Sequence, residues 1–192
     1  MDTKALAGRR NVRRAGLILL LAASAALTVG TGASTLAIFT DSTDATAAFT
    51  TGTVDLTLSP TTVFTANGIY PGDSGSQTVT VTNGGTGTLR YAMSTSATNA
   101  DGLGLAAQLS LTITAGPCPG AGGPLYGAAA LGSAALGNPA QGAQAGDRSL
   151  AGAASEDLCF AWSLPSATGN GFQGAATTAT FTFAAEQTAS NP

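Results

Sequence analysis

The sequence contains no histidine, and only 9% of its residues are charged, against about 25% in an average soluble domain. Without histidine there is no Ser-His-Asp or Cys-His nucleophile system and no HExxH zinc helix. Five of the seven basic residues crowd the N-terminus as Lys4, Arg9, Arg10, Arg13 and Arg14, leaving only Arg90 and Arg148 further on. The chain past residue 4 therefore has no lysine for a Schiff base or a Ser-Lys dyad, and none for a Lys-Asn isopeptide crosslink. It also has no basic surface to follow a phosphate backbone, so nucleic acid is not an expected partner. Low charge with abundant Thr and Gly argues against a long helical protein.

What is present begins with an apolar run, Ala15 to Gly30, directly after the basic cluster. At 16 residues it is short for a membrane span of about 20. A basic segment, a short apolar segment and then small residues form the pattern of a secretory signal. Thr35 and Ala37 supply small residues for cleavage between Ala37 and Ile38, which makes residues 1–37 a signal peptide and 38–192 a single domain. The alternative is an uncleaved N-terminal anchor, the one way in which this chain would hold a membrane. The processed chain keeps Arg90 and Arg148 against nine carboxylates and is clearly acidic.

Strand patterns follow with clean period-2 alternation. Val54, Leu56 and Leu58 alternate with Thr53, Asp55 and Thr57. Val79 and Val81 alternate with Thr78, Thr80 and Thr82. Leu89, Tyr91 and Met93, then Leu109, Leu111 and Ile113, then Leu158, Phe160, Trp162 and Leu164, then Phe181 and Phe183, repeat the pattern. One buried and one wet face is the mark of antiparallel sheets, and threonine suits the wet side of the pleat. A half-buried sheet needs a second layer, so the expected fold is all-β, an antiparallel β-sandwich. Asn67-Gly68, Pro71-Gly72-Asp73 and Asn83-Gly84-Gly85 supply turns between the runs.

The stretch 116–154 differs. It is Gly/Ala-rich with little alternation, and it predicts a long surface insertion in which Leu125 to Ala128 and Leu131 to Leu136 are short helix or poor strand. Cys118 and Cys159 bracket it. An even cysteine pair in an exported chain reads as a disulfide, here a staple at the base of the insertion. A zinc site is the rival, though two thiols without histidine are a thin ligand set, and a free thiol pair is the third option.

Several of these segments occur in an order that resembles the TasA/camelysin family. Ala37-Ile38-Phe39-Thr40-Asp41 is similar to the family's processed junction, and Phe49-Thr50-Thr51-Gly52-Thr53-Val54-Asp55-Leu56 to its first strand. Pro71-Gly72-Asp73, the run Val79 to Gly85, Leu158-Cys159-Phe160 and Phe181 to Gln187 match later landmarks. The resemblance implies a jelly-roll sandwich, export through a dedicated SipW-type signal peptidase, and a place at the cell surface or in a biofilm matrix. It further implies self-assembly in which an N-terminal strand, here Ile38 to Thr51 with Phe39 and Phe49 as apolar anchors, adds to the next subunit. Pairing of that strand within its own subunit, or a frayed tail, are the alternatives.

The family also contains proteins described as metal-dependent endopeptidases. Zinc hydrolases normally use histidine ligands and keep a position open for water, and no pair of carboxylates here has a recognised catalytic spacing. Asp41 and Asp44 are weak candidates for Ca²⁺, although solvated acids at a strand start explain them as well. Glu156-Asp157 reads as a turn with exposed charge, Glu186 has no assigned chemistry, and Leu164 to Gly169 is a loop with one residue too many for a sortase signal. The expected function is structural: a secreted, non-enzymatic surface or matrix protein with no cofactor, a fibre subunit at its most specific. A camelysin-like secreted metalloendopeptidase and an adhesin-like binding module are the alternatives.

Overall fold

The computed structural model describes residues 46–191. The chain divides between Ala48 and Phe49, and the unit from Phe49 onward holds the strands described. The expected signal segment 1–37, its expected junction at Ala37 and Ile38, the expected anchor Phe39 and the acids Asp41 and Asp44 lie outside the described residues.

Nine strands follow one another: β1 Leu56–Ser59, β2 Ser74–Asn83, β3 Leu89–Ala97, β4 Ser110–Ala115, β5 Pro124–Ala130, β6 Ala135–Leu136, β7 Arg148–Leu150, β8 Ser155–Ser163 and β9 Ala179–Gln187. A single helical turn, α1 (Leu105–Gln108), precedes β4. Every strand pair is antiparallel. One sheet has the order β1-β2-β8-β4-β5. The other centres on β3, paired along its length with β9 on one side and with the short β7 and β6 on the other.

The alternation in the sequence becomes the two faces of each sheet. Val79, Val81, Leu111, Ile113, Leu158 and Phe160 point inward from the first sheet, and Leu89, Tyr91 and Met93 from the second, all at 1% exposure or less. Phe160 meets Phe181 across the layers edge to face, with ring centroids 5.1 Å apart. Burying each such side chain stabilises the fold by about 1.5–3 kcal/mol before entropy is counted. On the outer face of the first sheet the register sets hydroxyls side by side: Thr57, Thr82 and Ser155 in one row, and Ser74, Ser163 and Ser110 in another.

The segment 116–154 is not an appendage. Leu125 to Ala128 falls in β5, at the edge of the first sheet, and the stretch Leu131 to Leu136 divides into a 3-10 turn, Leu131–Ser133, and β6, beside β3; β7, also beside β3, lies outside both expected stretches. Backbone pairing does not need a large side chain, so Ala and Gly suffice at an edge where little packs against the strand. Leu131, Ala134, Leu136 and Leu150 are its buried contributions to the core. The part that behaves as a loop is 137–147, the connection from β6 to β7.

Cys118 and Cys159 are joined by a disulfide. Cys159 points away from the core, on the outer face of β8, yet is only 1% exposed. The turn after β4 folds back over it, with Cys118 N–H donating to Thr78 Oγ1 at 2.9 Å and Gly116 N–H to the Asp157 carbonyl at 2.8 Å. The bond therefore pins a turn onto a sheet face.

Candidate functional site

The inward row of β2 runs Val79, Val81, Asn83, and the third member is fully buried. A buried amide must find partners for its donors and its acceptor. Asn83 Nδ2 donates to the carbonyls of Gly87, Leu150 and Ala151 at 2.9–3.0 Å, and Oδ1 accepts the Gly85 N–H at 2.9 Å. One side chain thus shapes the turn after β2 and ties it to the end of β7.

That turn receives the N-terminal arm. Gly84 N–H donates to the Asp55 carbonyl at 2.9 Å and Thr86 N–H to the Thr53 carbonyl at 3.2 Å, while Thr53 N–H donates back to Thr86 Oγ1 at 3.1 Å. The approach leaves no room for side chains on the turn. A Cβ on Gly84 would stand 2.4 Å from Asp55 Oδ2, and one on Gly85 2.3 Å from the Thr53 oxygen. Residues 53–55 thereby prolong the β1–β2 pairing. Before them, residues 46–52 form no strand and lie exposed, with Phe49 at 92%.

At the same end of the sandwich three polar side chains bridge the two sheets. Glu156 occupies the inward row of β8 beyond Leu158 and Phe160, so it is half-buried and not the exposed turn charge expected from sequence. Arg148 bonds both its carboxylate oxygens. Tyr91 Oη donates to Glu156 Oε1 at 2.7 Å. Burial, and then the bond to the carboxylate, push the Tyr91 phenol far above its ordinary pKa, and the same carboxylate raises that of Arg148. The hydroxyl is fixed as a donor, which makes the trio an internal crosslink.

On the outer face of the second sheet, Arg90 lies directly opposite Glu186 and pairs with it. Alternation places Arg90 on a wet face, but it is 8% exposed. The 137–147 loop and the C-terminal residues cover it: Gly142 N–H donates to Glu186 Oε1 at 3.0 Å, and Arg90 Nη2 to the Asn191 carbonyl. Chiefly through the bond from Arg90, the Glu186 carboxyl is held below its ordinary pKa. Asp147 braces the same loop, accepting the N–H groups of Asn138 and Gln144.

The remaining acids are used in the same way. Asp101 accepts the N–H groups of Leu103 and Ala176, so its carboxyl is also held low, Ala176 being the larger cause. Asp73 accepts the Tyr70 N–H at 2.8 Å, and Asp157 accepts Thr80 Oγ1 at 2.6 Å. Among the described residues no three His, Cys, Asp or Glu side chains converge in a way that could hold a metal ion. A donor set of scattered, already bonded carboxylates, in a chain without histidine, does not fit the open site of a zinc peptidase. Leu164 to Gly169 forms the loop after β8, closed by Thr168 N–H donating to the Pro165 carbonyl at 2.9 Å.

The structure therefore brings Cys118 and Cys159 together and leaves Phe49 exposed. The residues that sequence reasoning missed, Asn83, Glu156 and Glu186, act through bonds to distant strands. The one available signal was scarcity: two lone arginines in an acidic body each need a carboxylate.

A search among curated proteins returned no match. The model of the family described as camelysin metallo-endopeptidase matches residues 14–103, a span that includes the exposed arm, its docking turn and Asn83. Over that span the chain is similar to the camelysin family.

Proposed function

We propose that this protein is an exported structural component of the cell surface or biofilm matrix, and that the arm before Thr53 is a strand donated to a neighbouring subunit. The observation that carries this reading is the contrast within the arm. Residues 53–55 are fixed to the Gly84-Gly85 turn, whereas residues 46–52 pair with nothing among the described residues and present Phe49 almost fully exposed. An extended segment with an apolar anchor is what β-strand addition uses, main-chain bonds giving affinity and pockets giving specificity. Cleavage between Ala37 and Ile38 by a dedicated signal peptidase would free the segment, with Phe39 as its second anchor. The disulfide suits an oxidising compartment outside the cytosol.

The use of the charged side chains supports the same reading. Of the seven carboxylates described, all but Asp55 are bonded within the fold. Purified chain beginning at Ile38 should form filaments visible by electron microscopy, and chain beginning at Gly52 should not. Filaments from the shortened chain would remove the arm from assembly. The family's name favours a metalloendopeptidase as the second reading. Chelator-sensitive cleavage of casein by the purified chain, lost on changing its carboxylates, would establish that reading in place of ours.

A further inference from the structure

The sequence contains the dipeptide Asn-Gly at three described places, and the fold treats them differently: Asn67-Gly68, Asn83-Gly84 and Asn170-Gly171. Asparagine before glycine can undergo ring closure. The backbone nitrogen of the glycine attacks the asparagine Cγ, a C–N bond forms, and the side-chain nitrogen leaves as ammonia with the amide proton. Water then opens the succinimide at either carbonyl, giving aspartate or isoaspartate. No oxidant is required. Glycine offers the least hindered nitrogen for the attack. The side-chain carbonyl must still reach that nitrogen, so anything that fixes either group blocks the reaction.

Asn83 is blocked on both sides. Its amide is fully buried and held by four bonds, and the Gly84 N–H donates to the Asp55 carbonyl. Asn170 opens a 3-10 turn, Asn170–Phe172, and its carbonyl accepts the Gln173 N–H at 3.1 Å. The helical ψ of such a turn directs the next nitrogen away from the side chain, so the turn must open first. Asn67 has neither protection. It lies in the long connection from β1 to β2, with both residues exposed and Gly68 at φ +63°. Nothing would stand within 4 Å of a Cβ on Gly68. Neither the Asn67 amide nor the Gly68 N–H has a hydrogen-bond partner among the described residues.

We infer that Asn67 is a site of spontaneous deamidation, and that the fold confines this modification to one of the three Asn-Gly pairs. The product places a new carboxylate three residues before Tyr70, in a connection whose other acid is Asp73 and which has no base. A matrix protein that persists outside the cell would accumulate it with age.

The test uses the folded, disulfide-intact protein held at mildly alkaline pH, with peptide mass mapping over time and enzymatic methylation of isoaspartate. Asn67 should convert first. Asn170 should follow more slowly by about tenfold or more, since its reaction waits on local opening, and Asn83 last of all. In urea the three rates should converge. N67Q should remove most of the isoaspartate signal from the folded protein. The inference is overturned if Asn83 or Asn170 keeps pace with Asn67 in the folded state. It is equally overturned if Asn67 survives a period in which the unfolded chain converts, or if N67Q leaves the isoaspartate signal undiminished.

Discussion

Gly85 and Thr53 approach so closely that a single added methyl carbon would stand 2.3 Å from the Thr53 carbonyl oxygen. The glycine pair after Asn83 is thus a seat for the arm, and its value lies in the side chain it omits. Gly85→Ala should lift residues 53–55 away and break the two bonds between Thr53 and Thr86. At about 0.5–1.5 kcal/mol per bond, the loss should be about 1–3 kcal/mol. Hydrogen exchange should show early exposure of the Thr86 amide while the core strands remain protected. Unchanged exchange at Thr86 would mean that the arm is not seated as described.

Asn83 supports that seat from below. Asn83→Ala leaves the Gly85 N–H and the Leu150 carbonyl without a side-chain partner. Buried groups left unpaired cost about 1–3 kcal/mol each, so urea denaturation should show a loss of about 3 kcal/mol. A loss under about 1 kcal/mol would demote the amide to a minor contact.

Tyr91 should govern the alkaline limb of stability. Its pKa is higher in the folded state than the ordinary 10.0. Its contribution is therefore complete below pH 10.0 and declines above it, because only the unfolded chain readily loses the proton. Tyr91→Phe should flatten the fall in stability above pH 10.0. At neutral pH it should cost about 1.5–3 kcal/mol through the lost bond to a charged group. A wild-type alkaline limb retained in the variant would assign that limb to another group.

Asp101 and Glu186 should shape the acid limb. Both carboxyls are held below their ordinary values of 3.8 and 4.5. Their contributions are complete above those values and vanish as the pH falls through the lower folded-state pKa. Thermal melts of Asp101→Asn and Glu186→Gln should show a shallower decline with acidification than the parent. Parallel declines in parent and variants would show that neither group matters there.

The disulfide spans 41 residues of sequence, which in the chain-entropy model corresponds to about 4 kcal/mol. Cys118→Ala with Cys159→Ala should lower stability by about that amount while keeping the strand signature in circular dichroism. The turn at residues 116–122 should become accessible to proteases, since backbone N–H bonds such as those from residue 118 and Gly116 would then hold it without a covalent tie. Loss of the strand signature would show that the bond holds the sheets as well as the turn.

Much of this sandwich is legible in the sequence because its strands alternate so regularly. Val79 and Val81, Leu111 and Ile113, and Leu158 and Phe160 each declare a face, and each face is where the pattern puts it. The pattern is silent for Ala128, Ala129 and Ala135, since alanine is equally at home inside and outside, and so β5 and β6 read as an insertion. Alternation also misleads at Arg90, which stands on the outward side of β3 and is buried by a loop that pairs with a distant strand. Glu156 lies on the inward face for the same reason that Leu158 does, but a carboxylate reads as surface until Tyr91 and Arg148 are placed beside it. The disulfide could be anticipated from the count of cysteines; its position on the outside of a sheet could not, because that depends on which way the turn after β4 folds.

Because the Cys118–Cys159 bond encloses β5, β6 and β7 in one covalent ring, it sets how the molecule would stretch. Pulled between Phe49 and Asn191, the ring acts as a knot in the tether. The 41 residues it spans would withhold about 140 Å of contour length, at about 3.3–3.6 Å per extended residue. Under load only the segments flanking that ring would lengthen, which gives the subunit a hard stop to its extension.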